Sequence, residues 1–113
     1  MCRKLLDKKY IDHKLKLMKP STALSSSRAV IRALVKEHGL LNPRIFGSVS
    51  RQEDTEVSDL DILVDPRPDT SLLDIAKLQL SLEKQLGIHV DVLTPKALPE
   101  RFRDQVVKNS IPV

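Results

Sequence analysis

Asp59 and Asp61 stand two residues apart in the stretch Ser58-Asp59-Leu60-Asp61-Ile62-Leu63-Val64-Asp65. Leu60, Ile62 and Val64 alternate with Asp59, Asp61 and Asp65, the period of a strand with one face in a core. Both carboxylates of the pair then project from the opposite face, where they repel each other unless a cation lies between them. Hard oxygen ligands at this spacing suit Mg²⁺, which takes one or two protein carboxylates and fills its other positions with water and substrate phosphates. Taken alone, an Asp-x-Asp pair is more often a solvated strand edge or a turn cap than a metal site.

Its neighbours sharpen the reading. Gly47-Ser48 follows the short apolar run Arg44-Ile45-Phe46, and of the three glycines in the chain Gly39 and Gly87 sit where helices should end. Gly47 has no such duty, so the backbone there must turn sharply or approach a ligand closely. A turn at this point can aim backbone N–H groups and the Ser48 hydroxyl at a polyphosphate, and Arg51 can add a cation to the same phosphates. Ser58 either orients a carboxylate or starts the strand. Asp91 lies between Val90 and Val92 on a second alternating segment. If the two strands are neighbours, three carboxylates meet on one face and can hold two ions, which suits phosphoryl or nucleotidyl transfer.

The elements that must position these groups are legible around them. Ser21 or Thr22 is placed to cap a helix that turns Leu24, Ile31, Leu34 and Val35 towards a core and ends at Gly39. Residues 48–57 are polar and suit a short helix or a loop. Asp65-Pro66-Arg67-Pro68 stops the first aspartate strand. Ser71 with Asp74 has the form of a capping box for a helix bearing Leu72, Ile75, Leu78, Leu82 and Leu86, closed by Gly87. Ile88, Val90 and Val92 make the next strand, and Pro99 suits the first residue of a last helix carrying Phe102 and Val106. The order predicts an α/β (α+β) fold with a small mixed sheet of about three strands. Helices pack on one of its faces and the carboxylates lie on the other.

Bulk properties exclude several classes. The 113 residues allow one core, and with 41% hydrophobic and 30% charged residues the chain has an ordinary globular composition. The net charge of +4 is unevenly spread. Residues 1–20 hold seven Lys or Arg against Asp7 and Asp12, while the remainder is close to neutral with a slight acidic excess. That balance, with only Tyr10, Phe46 and Phe102 as aromatics, argues against direct nucleic-acid binding. Residues 1–20 read as a basic extension: an amphipathic helix, a frayed tail, or a leader that is not native if Met18 is the true start. Residues 21–113 form the domain. Cys2 is the only cysteine, so no disulfide framework or thiolate metal site exists, and a cytoplasmic location fits. There is no Gly-Lys-Ser/Thr phosphate loop, and Ser48 has no evident His–Asp partnership. His89 shares the Asp91 face, as an ordinary polar strand residue or as a group near the site. Arg101, Arg103 and Lys108 make a basic set on the last helix, suited to solvent or to partner docking.

Gly47-Ser48, the spacer, Asp59-x-Asp61 and Asp91 on a later strand together resemble the signature of the DNA polymerase β-like nucleotidyltransferase superfamily. The resemblance runs from about Met18 to the C-terminus and is strongest to minimal nucleotidyltransferases, the MNT antitoxin type paired with HEPN toxins. It implies that Asp59 and Asp61 bind both Mg²⁺ ions, and that Asp91 completes one ion and helps deprotonate the acceptor. It further implies that Gly47 and Ser48 hold the β- and γ-phosphates, with Arg51 as a further phosphate contact. Gln52 departs from the pattern, since relatives often carry Gly after the Arg. The implied reaction is AMP transfer from ATP to a tyrosine of a HEPN toxin, within a possible hetero-oligomer and without a membrane. Larger relatives carry an acceptor-binding lobe, so here a partner is expected to supply the acceptor surface. Two rivals remain: an antitoxin that only masks its toxin, and a nucleotidyltransferase subunit acting on a small molecule or RNA.

Overall fold

The computed structural model describes residues 18–113, and the basic extension expected over residues 1–20 lies almost entirely outside them. Helix α1 spans Pro20–Glu37, with Pro at its first position, where its missing N–H is no loss. Neither Ser21 nor Thr22 caps it. The N-cap is Lys19, which makes no side-chain cap, and the carboxylate of distant Asp54 accepts the Ser21 N–H at 2.9 Å instead. The expected local cap is thus replaced by a tertiary one. The helix kinks at Ser27 (φ −133°), one residue after Ser26, whose hydroxyl bonds back to the Thr22 and Ala23 carbonyls. Its end follows the expected form. Gly39 adopts φ 77°, with Gly39 N–H donating to Lys36 O and Leu40 N–H to Val35 O, a Schellman closure.

Strand β1 (Leu41–Phe46) is followed by turns at residues 47–52 and 56–57, so the segment 48–57 is a loop with no helix. Strand β2 (Leu60–Asp65) pairs antiparallel with β1, setting Arg44 opposite Leu63, Ile45 opposite Ile62 and Phe46 opposite Asp61. Helix α2 (Leu72–Leu86) begins with the expected capping box: Ser71 Oγ accepts from Asp74 N–H, and the Asp74 carboxylate accepts from Ser71 N–H. Gly87 ends it at φ 72°. The chain returns in β3 (Val90–Leu93), parallel to β2, with Leu60 beside Val90 and Asp61 beside Asp91. A 3₁₀ turn (Pro95–Ala97), helix α3 (Glu100–Asn109) and strand β4 (Ile111–Pro112) complete the fold. Pro99 is the N-cap of α3, one residue before the position expected for it.

The sheet therefore has four strands, in the order β3-β2-β1-β4, where the sequence suggested three. The fourth contains only Ile111 and Pro112, too short to show a period. Leu60, Ile62, Val64, Leu78 and Leu82 are wholly buried between the sheet and α1 and α2. Truncating such a side chain to Ala typically costs about 2–5 kcal/mol. The opposite face is not bare. Leu63 and Leu98 are buried there, and α3 contacts β1 while the 3₁₀ turn contacts β2. Two helices thus pack on one face and the third crosses part of the carboxylate face. Arg103 belongs to this framework, donating to the carbonyls of Pro95, Lys96 and Leu98. Glu83 and Gln79 of α2 accept the Val90 and Val92 N–H groups, covering donors of edge strand β3 that no strand partner meets. Among the described residues, no helix is long and apolar enough to cross a membrane.

Candidate functional site

The carboxylates gather where β1 ends and β2 and β3 begin. Register places Phe46, Asp61 and Asp91 side by side across three strands, so Asp61 and Asp91 project from the same face of the sheet. Asp61 is half-buried, whereas Asp59 and Asp91 are exposed. Burial raises the Asp61 pKa first, and the negative charges of Asp91 and Asp59 add to it. Asp91 is also close enough to share a proton, while Arg51 opposes the rise; the result is a carboxyl pushed up to about 6. Clustered like charges of this kind mark a site short of positive charge.

Gly47 is required by this arrangement. Its φ is 75°, and a β-carbon there would run into the Asp61 carboxylate, with Asp61 Cγ only 3.2 Å away. The turn beyond it folds on itself. Ser50 Oγ donates to Gly47 O at 2.7 Å, Glu53 N–H donates to Ser48 O at 2.9 Å, and Val49 is buried in the core. Gln52 takes the left-handed conformation (φ 58°), so the departure from Gly leaves the turn formed but strained. Arg51 is exposed, with its Nε bound to Glu53 Oε1 at 2.9 Å, which leaves its terminal nitrogens for another anion.

Ser58 is engaged elsewhere: its hydroxyl accepts the Thr55 N–H at 2.9 Å and closes the end of the loop. His89 is largely exposed, with Nδ1 3.7 Å from Glu83, and so faces the α2 side. Sequence reasoning did not identify the contribution of α3. Phe102, Gln105, Val106 and Asn109 join Phe46, Gly47, Ser50 and Arg51 around a cleft of about 400 Å³. Phe102 is exposed there, with the Arg101 guanidinium 4.9 Å over its ring. The three- and four-residue spacing of these α3 side chains was a visible signal, although it reads equally as a core stripe.

These residues fit a hard divalent cation. Among those described, no three His, Cys, Asp or Glu side chains already close into a cage. Mg²⁺ needs only one or two carboxylates and takes the rest of its shell from water and phosphate. The charge-starved Asp61 and the glycine packed against it suit that open geometry.

Residues 29–113 match the family described as Polymerase beta, Nucleotidyltransferase. The chain belongs to that family. MJ0435 of Methanocaldococcus jannaschii, named as a proposed protein adenylyltransferase, is 41% identical over 76% of this chain and 91% of its own length. The protein adenylyltransferase MntA of Thermococcus cleftensis is 34% identical over 71% of this chain and 81% of its own. Among solved structures, a proposed minimal nucleotidyltransferase superposes with a TM-score of 0.75 at 42% identity, covering 85% of this chain and 97% of that one. A toxin–antitoxin structure with AMP-PNP shares the fold at 23% identity and TM-score 0.61, covering 71% of this chain and 66% of that one. The family match and the superposition thus account for the fold.

Proposed function

We propose that this nucleotidyltransferase transfers AMP from ATP to a hydroxyl of a partner protein, most specifically a tyrosine of a HEPN-type toxin that it silences. The observation that carries the reading is Asp61, set against Gly47 on one side and in register with Asp91 on the other. The names of MJ0435 and MntA support protein as the acceptor, and the toxin–antitoxin structure that shares the fold is what suggests the antitoxin setting. Residues 21–113 are the catalytic unit, with residues 1–20 as an extension to it.

Asp59, Asp61 and Asp91 would hold two Mg²⁺ ions, which would supply the positive charge that an α-phosphate and a leaving pyrophosphate require. Backbone N–H groups at Gly47 and Ser48, with the Ser48 hydroxyl, orient the β- and γ-phosphates. Arg51 adds a cation, its guanidinium steadied by Glu53. Ser58 keeps the loop closed beside Asp59. Asp91, exposed at the edge of the set, accepts the proton of the acceptor hydroxyl. The acceptor oxygen forms a bond to the α-phosphorus as the bond to the bridging oxygen breaks and pyrophosphate leaves. ATP as donor places the reaction in the cytoplasm.

Intact-mass analysis of the partner after incubation with ATP and Mg²⁺ tests the reading. Addition of AMP to the partner, lost with Asp61→Asn, is expected. Inhibition of the toxin without any mass change would support masking instead, and AMP found on RNA or a metabolite would support a different acceptor.

A further inference from the structure

The loop between Gly47 and Asp59 has two limbs with different supports. The first is closed by local bonds: Val49 is buried, and Ser50 and Glu53 bond back to Gly47 and Ser48. The second closes locally through Thr55 and Ser58. Asp54 lies between them, and its Oδ2 accepts the Ser21 N–H of α1 at 2.9 Å across 33 residues of sequence. Among the described residues this is the only side-chain hydrogen bond from residues 48–57 to another element. It ends on the first turn of a helix whose own N-cap offers no side chain. The helix therefore gains a partner for an orphan donor, and the loop gains an anchor in the rigid core.

We propose that Asp54 is a positioning residue for the bound nucleotide, tethering the Ser48–Arg51 turn to the N-terminus of α1 so that its donors are preset for the phosphates. The proposal rests on the reading of that turn as the phosphate site. Arg51 is held through Nε by Glu53, and Glu53 is the immediate neighbour of Asp54. Freeing Asp54 loosens the backbone that carries Glu53, and the guanidinium loses its fixed bearing. The nucleotide must then order the turn itself on binding, which weakens affinity without touching the reacting atoms. Asp54 also behaves as a held anion. Burial raises its pKa, but the Ser21 hydrogen bonds and the Lys19 charge outweigh this and leave it below the ordinary value.

The test uses the full chain, with Mg–ATP titrated by calorimetry and AMP transfer followed in parallel. Asp54→Ala is expected to weaken Mg–ATP binding and raise the KM for ATP about fivefold, the equivalent of one lost helix cap. Its kcat should stay within about twofold of wild type, because no transition-state contact is removed. Asp54→Asn keeps an acceptor oxygen for the Ser21 amide and should restore binding to within about twofold. If Asp54→Ala does not fold, Asp54→Glu replaces it; the longer side chain keeps the charge but shifts the carboxylate from the amide, and the same weakening is expected. A lower melting temperature with unchanged Mg–ATP affinity would show a cap and nothing more, overturning the proposal. So would Asp54→Asn binding as poorly as Asp54→Ala. Wild-type protein that binds no Mg–ATP would instead overturn the phosphate reading, a failure seen before any variant is made.

Discussion

Asp61→Asn is expected to make the metal-free protein more stable while abolishing its proposed activity. Burial and the charges of Asp91 and Asp59 raise the Asp61 carboxyl from 3.8 to about 6. With its folded pKa above the unfolded one, Asp61 binds its proton more tightly in the folded chain. Ionising it therefore costs folding free energy, a penalty absent below the unfolded pKa and complete once pH has risen past the folded one. Unscreened, the gap amounts to about 3 kcal/mol at roughly 1.4 kcal/mol per pH unit. Asp61 is only half-buried, so water and salt should reduce this to about 1 kcal/mol. Asn keeps the size and an acceptor oxygen while removing the charge. Urea unfolding in the presence of a chelator should show the variant more stable by about 1 kcal/mol at neutral pH, with the difference vanishing by about pH 4. Adding Mg–ATP should then raise the melting temperature of wild type but not of the variant. A variant equal to or weaker than wild type at neutral pH without metal would show that ionised Asp61 imposes no such penalty.

Gly47→Ala combines an unfavourable φ of 75° with a methyl group forced onto the Asp61 carboxylate. It should cost about 1–3 kcal/mol in urea unfolding and abolish AMP transfer in a labelled-ATP assay. Gln52→Gly relieves the left-handed strain at φ 58°, partly offset by the greater freedom of glycine in the unfolded chain. A net gain of about 0.5 kcal/mol is expected in the same unfolding measurement. Gln79→Leu strips the acceptor from the Val92 N–H on edge strand β3. It should cost about 1–3 kcal/mol, and light scattering should show greater self-association through the uncovered edge.

The parts readable from sequence were those whose cause is local. The alternation around Asp59 and Asp61 reports a strand buried on one side, and β2 indeed buries Leu60, Ile62 and Val64. Ser71 with Asp74 reports a helix start because both hydrogen bonds lie within four residues. What escaped depends on distant partners. The cap of α1 comes from Asp54, far along the chain, so the nearer Ser21 and Thr22 looked like better candidates. Leu63 breaks the alternation, being buried on the carboxylate face, where the 3₁₀ turn contacts β2. Phe102 has the spacing of a core residue yet lines the cleft beside Gly47 and Arg51. The polar segment 48–57 stayed undivided between helix and loop, since Val49 is its one buried apolar residue. Asp91 could be placed on a strand, but only the parallel register with β2 brings it beside Asp61.

On the proposed reading, Asp59, Asp61 and Asp91 beside Gly47 direct the α-phosphate of ATP onto a protein hydroxyl. Parallel incubations with ATP labelled at the α- or the γ-phosphate, each with Mg²⁺ and the partner protein, test it most directly. Label on the partner is expected from α-labelled ATP alone, absent with a chelator and absent with Asp61→Asn. Label from γ-labelled ATP, or α-label transferred undiminished by Asp61→Asn, would contradict it.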